Sequence, residues 1–274
     1  MKCINPLEVW PDGKKHIVAC GKCLACVSTK RIDWIFRLGQ EHKASKGALF
    51  ITLTYHPKFC PDQLEKRHLQ LFMKRLRKRL PKRLRYFAVG EYGTNNGRPH
   101  YHVILFNVDN ADQEYIRKSW AAKDGEPYGL IHIGTVTAAS IAYCTKYVIQ
   151  AIDFSSKEGK QKPFTLMSRG YGIGASYLTD RMVNWHREND FNHVNINGIE
   201  SRLPRYYKDK IWYTDKDKKR ISDMAKWKAI KSMRAELRWF VKKYGVQNAK
   251  SKLEDFRNAQ LANIRSKVAY TQKL

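Results

Sequence analysis

Acidic side chains are scarce in this sequence: 25 stand against 52 lysines and arginines in 274 residues, leaving a net charge of +27. The imbalance runs the whole length, so it belongs to the working surface, and a polyanionic partner is its simplest explanation. Long apolar runs are missing too. None approaches the ~18 residues of a transmembrane candidate, and the N-terminal stretch carries charges and cysteines where a secretion signal would carry an apolar segment. Nucleic acid is therefore the expected partner, and a membrane is not. A G-x-x-x-x-G-K-[ST] phosphate loop is absent, so no nucleotide cofactor is expected. If the protein serves replication, strand unwinding must come from other proteins. Composition alone also fits a basic binding protein with no chemistry.

The six cysteines come without a secretion signal, which favours reduced thiols or metal ligation over a disulfide framework. Cys20-Gly21-Lys22-Cys23-x-x-Cys26, with Cys3 upstream, offers four thiolates to a structural Zn²⁺. The even spacing of three is unusual for one tetrahedral ion, and free thiols or an iron–sulfur cluster are the alternatives. Cys60 and Cys144 read as ordinary buried thiols.

Apolar periodicity predicts a helix from about Ser28 to Lys46 closed by Gly47, then a strand over 49–55. Asp62 with Glu65 resembles a capping box for a helix that ends before Pro81. Lys74, Arg75, Arg77, Lys78 and Arg79 on that helix are either a solvated face or a contact to a DNA backbone. Strands are expected at Arg85–Gly90, His100–Phe106 and Leu130–Val136, and Thr137 can cap a helix from Ala138 to about Ile152. The polar stretch from Ser155 to Pro163 reads as a loop. Past residue 200, Ile221, Met224, Trp227, Ile230, Met233, Leu237, Val241 and Tyr244 recur at helical spacing, with Gly245 as a stop and a second helix over Lys252 to Lys267. The chain thus divides into 1–47, a cysteine-bearing segment and helix packed on the core; 48–180, the chemical domain; and 181–274, a basic, largely helical appendage suited to packing or docking.

His100-Tyr101-His102 lies in a predicted strand, where alternate side chains share a face, so both imidazoles point the same way. If Asn96-Gly97 is a two-residue hairpin turn, Asn95 faces Arg98, Gly93 faces His100, and Glu91 stands opposite His102. Two histidines and a carboxylate suit Mg²⁺ or Mn²⁺ with positions open for phosphate oxygens. Tyr143 and Tyr147 lie four residues apart in a predicted helix, so both phenols project to one side with Lys146 near that edge. A phenol of pKa ~10 needs help to act as a nucleophile at neutral pH, and a lysine can supply it. Read alone, such a pair is as readily a packing stripe.

Pro99-His100-Tyr101-His102-Val103-Ile104-Leu105-Phe106 resembles the histidine-hydrophobe-histidine strand of the HUH endonucleases. Phe50-Ile51-Thr52-Leu53-Thr54-Tyr55 is similar to their first motif, and Tyr143-x-x-Lys146-Tyr147 to their paired-tyrosine motif. The closer likeness is to replication initiators of microviruses, especially the gokushovirus type, through the Cys20–Cys26 cluster, Gly172-Ile173-Gly174 and Leu203-Pro204-Arg205-Tyr206-Tyr207. It covers roughly residues 1–210. The resemblance implies an α+β fold: a central antiparallel β-sheet with flanking helices, an RRM-like palm with the histidines on a central strand and the tyrosine helix beside them. It implies a metal at Glu91, His100 and His102, and Tyr143 and Tyr147 as alternating nucleophiles that nick a single-stranded DNA origin through a 5′-phosphotyrosine and later rejoin it. It further implies a host helicase and polymerase as partners and the cytoplasm of a bacterial host as location. A transposase or plasmid relaxase of the same superfamily, a metal-dependent nuclease without a covalent step, and a zinc-containing DNA-binding protein are the alternatives.

Overall fold

A computed structural model describes the chain except for residues 1, 2, 4, 12, 94, 95, 154–158, 197 and 274; at 147–153, 261, 264, 265 and 267–273 only the backbone is described. Part of the expected 155–163 loop and the Tyr147 side chain therefore lie outside the described residues. The chain forms two compact units, residues 1–182 with 195–199, and 183–194 with 200–274.

The first unit begins with two short strands, β1 (Leu7–Val9) and β2 (His16–Val18), and helix α1 (Leu24–Ala44). Strand β3 (Ala48–Leu53), helix α2 (Lys66–Arg79), strands β4 (Arg85–Tyr92) and β5 (Pro99–Phe106), helix α3 (Gln113–Ser119), strand β6 (Ile131–Thr135), helix α4 (Ala138–Asp153) and strand β7 (Phe164–Met167) follow. The last five strands make one antiparallel sheet in the order β6-β3-β5-β4-β7. The expected α+β fold, an antiparallel sheet flanked by helices, is what the chain adopts.

Both faces of the sheet are covered, which is why β5 reads as a nearly continuous apolar run. Tyr101, Val103 and Leu105 of β5 face a core with Leu69, Phe72 and Leu76 of α2 and with Trp120. Ile104 and Phe106 face the other way, into a core with Leu38 of α1 and Ile141 and Cys144 of α4. His100 and His102 share this second face by the same period of two, at its open end.

Several local expectations change. Helix α1 starts earlier and stops at Ala44, where the Ser45 N–H bonds back to the carbonyls of Glu41 and His42. Gly47 does not close it. A Cβ there would lie 2.5 Å from the Val108 carbonyl oxygen, so the glycine permits a close backbone approach. Asp62 and Glu65 do not form a capping box; Glu65 stands before α2 with no side-chain cap bond. The Tyr101 hydroxyl fills that role, accepting from the Glu65 N–H at 3.0 Å. Thr137 does cap α4: its Oγ1 accepts from the Ser140 N–H at 3.2 Å, and its own N–H donates to Ser140 Oγ at 2.7 Å. Cys144 is buried as expected, whereas Cys60 is only half-buried.

The Gly172-Ile173-Gly174 motif clamps α1 to the sheet. The Gly174 N–H donates to Glu41 Oε2 at 2.6 Å, Arg37 Nε donates to the Ile173 carbonyl at 3.0 Å, and Arg85 bridges Glu41 and the Gly172 carbonyl. Glu41 and Arg85 are a nearly buried ion pair. Such a pair stays stable only while both partners are present.

The second unit contains most of helix α5 (Asp180–Glu188), much of strands β8 (His193–Ile196) and β9 (Ile199–Arg202), helix α6 (Arg205–Ile211) and helix α7 (Asp215–Lys273). Leu203, Tyr207 and Trp212 are buried, and Arg187 Nε donates to the Ile211 carbonyl at 2.8 Å. Leu203-Pro204-Arg205-Tyr206-Tyr207 is thus the start of α6, with Pro204 at its N-cap. Helix α7 is interrupted at Gly245 (φ 77°, ψ 162°), the stop read from the sequence. Helical structure resumes at once, not at Lys252. Phe240, Ala249 and Leu253 then pack together across the break, so the two segments fold on each other.

Candidate metal and tyrosine centre

The β4–β5 hairpin carries the site. Its turn is longer than two residues: the Gly93 N–H donates to the Arg98 carbonyl at 2.9 Å, and the Gly97 N–H to the Gly93 carbonyl at 3.0 Å. The register consequently differs from expectation by two. Glu91 pairs with His100, Val89 with His102 and Tyr92 with Pro99. An odd slip would have turned Glu91 to the far face, but an even one preserves it. Glu91, His100 and His102 remain together, each offering a ligand atom within 4.8 Å of the others.

Glu91 Oε1 is the meeting point, 2.9 Å from His100 Nε2 and 2.7 Å from His102 Nε2. The other ring nitrogens are also engaged. His100 Nδ1 lies 3.2 Å from the Arg98 carbonyl, which can only accept, so this nitrogen carries the proton and the neutral ring keeps its Nε2 lone pair toward Glu91. His102 Nδ1 pairs with Thr52 Oγ1 at 3.0 Å, and the ring stacks on Phe50 at 5.6 Å. Thr52 stands directly across from His102 in the β3–β5 pairing. Imidazole nitrogens steered toward one carboxylate oxygen by acceptors behind them fit a divalent cation.

Burial disfavours the charged form of His100, but the Glu91 carboxylate outweighs it and the pKa stands above the ordinary histidine value. At His102 burial wins, and the pKa is depressed. The deeper imidazole is thus biased toward the neutral form that ligates a metal.

Helix α4 brings Tyr143 to the same point. Its hydroxyl donates to Glu91 Oε1 at 3.1 Å and lies 3.4 Å from His102 Nε2. Lys146 Nζ stands 5.8 Å from the Tyr143 ring centroid, and burial lowers its pKa against the opposing pull of Glu91. The structure therefore joins Tyr143 and Lys146 to the Glu91–His100–His102 cluster. A groove of about 910 Å³ opens beside the histidines, with Thr52, Thr54, His56 and Arg98 in its wall. Thr52 was visible in the quoted first motif but had no role there, because its partner is set by strand register.

Residues 48–151 match the replication-associated protein ORF2 family. The likeness to microvirus replication initiators holds. The chain is 27% identical to replication-associated protein VP4 of Bdellovibrio phage phiMH2K over 94% of this chain and 89% of that protein. It is also 27% identical to replication-associated protein ORF2 of Spiroplasma virus 4, over 69% of this chain and 66% of that one. Among solved structures, hypothetical protein ORF119 from Sulfolobus islandicus rod-shaped virus 1 is 16% identical, covering 45% of this chain and 96% of that one at a TM-score of 0.29, a likeness too slight to argue from. No helix among the described residues is long and apolar enough to cross a membrane.

Proposed function

We propose that this chain is a replication initiation protein that nicks and rejoins single-stranded DNA at an origin, with Tyr143 as nucleophile. The observation that carries this reading is the meeting of the Tyr143 hydroxyl with Glu91 and His102 at 3.1 and 3.4 Å. Glu91, His100 and His102 would hold Mg²⁺ or Mn²⁺, which supplies Lewis-acid polarisation of a phosphodiester. The groove beside the histidines receives the DNA strand, and the basic surface holds its backbone.

Glu91 Oε1 orients the phenol through the bond it accepts. The phenolic oxygen forms a bond to phosphorus, and the bond from phosphorus to the 3′ oxygen breaks. The proton lost by the phenol is balanced by the one the 3′ oxygen takes up. The products are a 5′-phosphotyrosine and a free 3′-OH that can prime synthesis. Lys146 stabilises the negative charge that grows during transfer. The new ester keeps the energy of the old one, so rejoining needs no nucleotide. Tyr147 as the second nucleophile rests on its spacing in the sequence. Unwinding and synthesis would fall to a host helicase and polymerase in the bacterial cytoplasm.

The test incubates the protein with end-labelled single-stranded oligonucleotides and Mn²⁺, followed by denaturing gels and mass spectrometry of the adduct. A covalent adduct on Tyr143, lost or moved to Tyr147 in Tyr143→Phe, supports the reading. Cutting without any adduct, unchanged in Tyr143→Phe, makes the protein a hydrolytic nuclease and overturns it.

A further inference from the structure

A second cluster of metal-binding side chains lies apart from the tyrosine centre. Cys3, Cys20, Cys23 and Cys26 bring their four sulfurs within 4.8 Å of one another. The individual separations are 3.5 Å for Cys3–Cys20, 3.7 Å for Cys3–Cys23 and 4.0 Å for Cys20–Cys26. Four sulfurs placed tetrahedrally about one ion at a Zn–S distance of about 2.3 Å would stand about 3.8 Å apart. The observed values bracket that edge. They are far too long for disulfides, whose sulfurs lie about 2.05 Å apart. They are also too short to enclose a cluster of several iron and sulfide atoms.

The backbone treats these sulfurs as acceptors. Cys20 Sγ receives the N–H groups of Lys22 at 3.4 Å and Cys23 at 3.2 Å, and Cys3 Sγ receives the Cys20 N–H at 3.3 Å. Gly21 at φ 72° makes the tight turn that aims the first two. Donors converging on sulfur favour the thiolate, the form that binds metal.

An independent observation points the same way. Strands β1 and β2 pair Leu7 with Val18 and Val9 with His16 between Cys3 and Cys20. Yet Leu7 is 51% exposed and Ile17 68%. A hairpin that buries so little apolar surface needs a staple. Cys23 also stands at the N-cap of α1 with no side-chain cap bond, and Cys26 lies in the first turn. A crosslink here would tie the hairpin to a helix whose Arg31 Nη2 donates to the Ala142 carbonyl at 3.1 Å, next to Tyr143.

We propose that Cys3, Cys20, Cys23 and Cys26 hold one structural Zn²⁺ that fastens the N-terminal hairpin to the start of α1. Soft thiolates select this ion over the hard cation proposed for the histidine site. The claim is independent of the nicking chemistry.

The test uses the full-length chain carrying His102→Ala, so that the histidine site does not compete. The purified protein should retain one zinc per chain, measured by elemental analysis. After chelation, titration with Co²⁺ should give an intense thiolate charge-transfer band that saturates at one equivalent and is erased by Zn²⁺. Cys23→Ser should lose the band, and Cys60→Ser should keep it. Zinc removal should speed tryptic cleavage at Lys14 and Lys15 on the order of tenfold, as the hairpin opens. A zinc-free protein whose Co²⁺ complex lacks the thiolate band overturns the proposal, as does recovery of these cysteines as disulfides from freshly reduced protein. The Co²⁺ result needs no cysteine variant, so it decides the matter even if Cys23→Ser fails to fold.

Discussion

The sheet unit and the helical unit use apolar residues in opposite ways. In the first, β5 buries residues on both faces, and Leu38, Ile51, Phe87 and Ile104 are fully enclosed. In the second, the helical stripe of α7 that looks so regular in sequence is largely open: Trp227 is 62% exposed and Trp239 54%, while Phe240, Ala249 and Leu253 form a small core where the helix folds on itself. Periodicity of 3.6 therefore specifies a helix without saying what, if anything, covers its apolar side. The chemistry sits in the unit with two covered faces. Fixing three side chains and a phenol to within a few tenths of an ångström requires a scaffold with no slack.

That contrast can be broken or sharpened by experiment. The largest effect is expected at the site: His102→Ala should reduce covalent adduct on the order of a thousandfold or more while leaving salt-dependent DNA binding mostly intact, since affinity comes from lysines and arginines. Equal loss of binding and cleavage, by filter binding and denaturing gel, would count against the assigned roles. Next is the clamp. Glu41→Ala leaves Arg85 without its carboxylate partner in a nearly buried position and should cost about 3–5 kcal/mol in urea unfolding. A loss under about 1 kcal/mol would mean that Arg85 finds another partner or water.

The direct comparison of the two units comes third. Leu38→Ala should cost about 2–5 kcal/mol, whereas Leu237→Ala on the open stripe should stay within about 0.5 kcal/mol. Similar costs would show that the stripe is covered in solution. At the break in α7, Gly245→Ala forces a side chain into positive φ and should cost roughly 1–2 kcal/mol; a stabilised variant would mean that the helix straightens.

The smallest effect is a pH slope. His186 is fully buried beside Trp212, its Nδ1 on the Phe191 carbonyl, and burial depresses its pKa. The folded state resists the proton that the unfolded state accepts, so the stability His186 contributes is complete above about pH 6.5 and is lost as pH falls below it. The unfolding midpoint of the second unit should drop on acidification through that window, and His186→Gln should flatten the slope. An unchanged slope in the variant would assign it to other groups.

Much of the site was legible because the rules that place it are local. Two histidines two apart on a strand must share a face, and a tyrosine on a helix capped by Thr137 must follow that helix. Glu91 was reached through the hairpin even though the turn was misjudged. Gly93 and Gly97 close a longer loop than Asn96-Gly97 suggested, but moving the register by two leaves alternation intact. The capping box at Asp62 and Glu65 failed for a different reason: the Tyr101 hydroxyl, distant in sequence, took the Glu65 N–H that a local side chain was expected to hold.

By itself the sequence determined the basic surface, the strand and helix periods, the shared face of His100 and His102, and the break at Gly245, because each depends on neighbours a few residues away. Only the tertiary structure decided that Thr52 would hold His102, that the Tyr143 hydroxyl would reach Glu91, and that Cys3 would join Cys20, Cys23 and Cys26. Those are distances between segments far apart along the chain. They are set by how cores fill and strands pair, which no local pattern encodes.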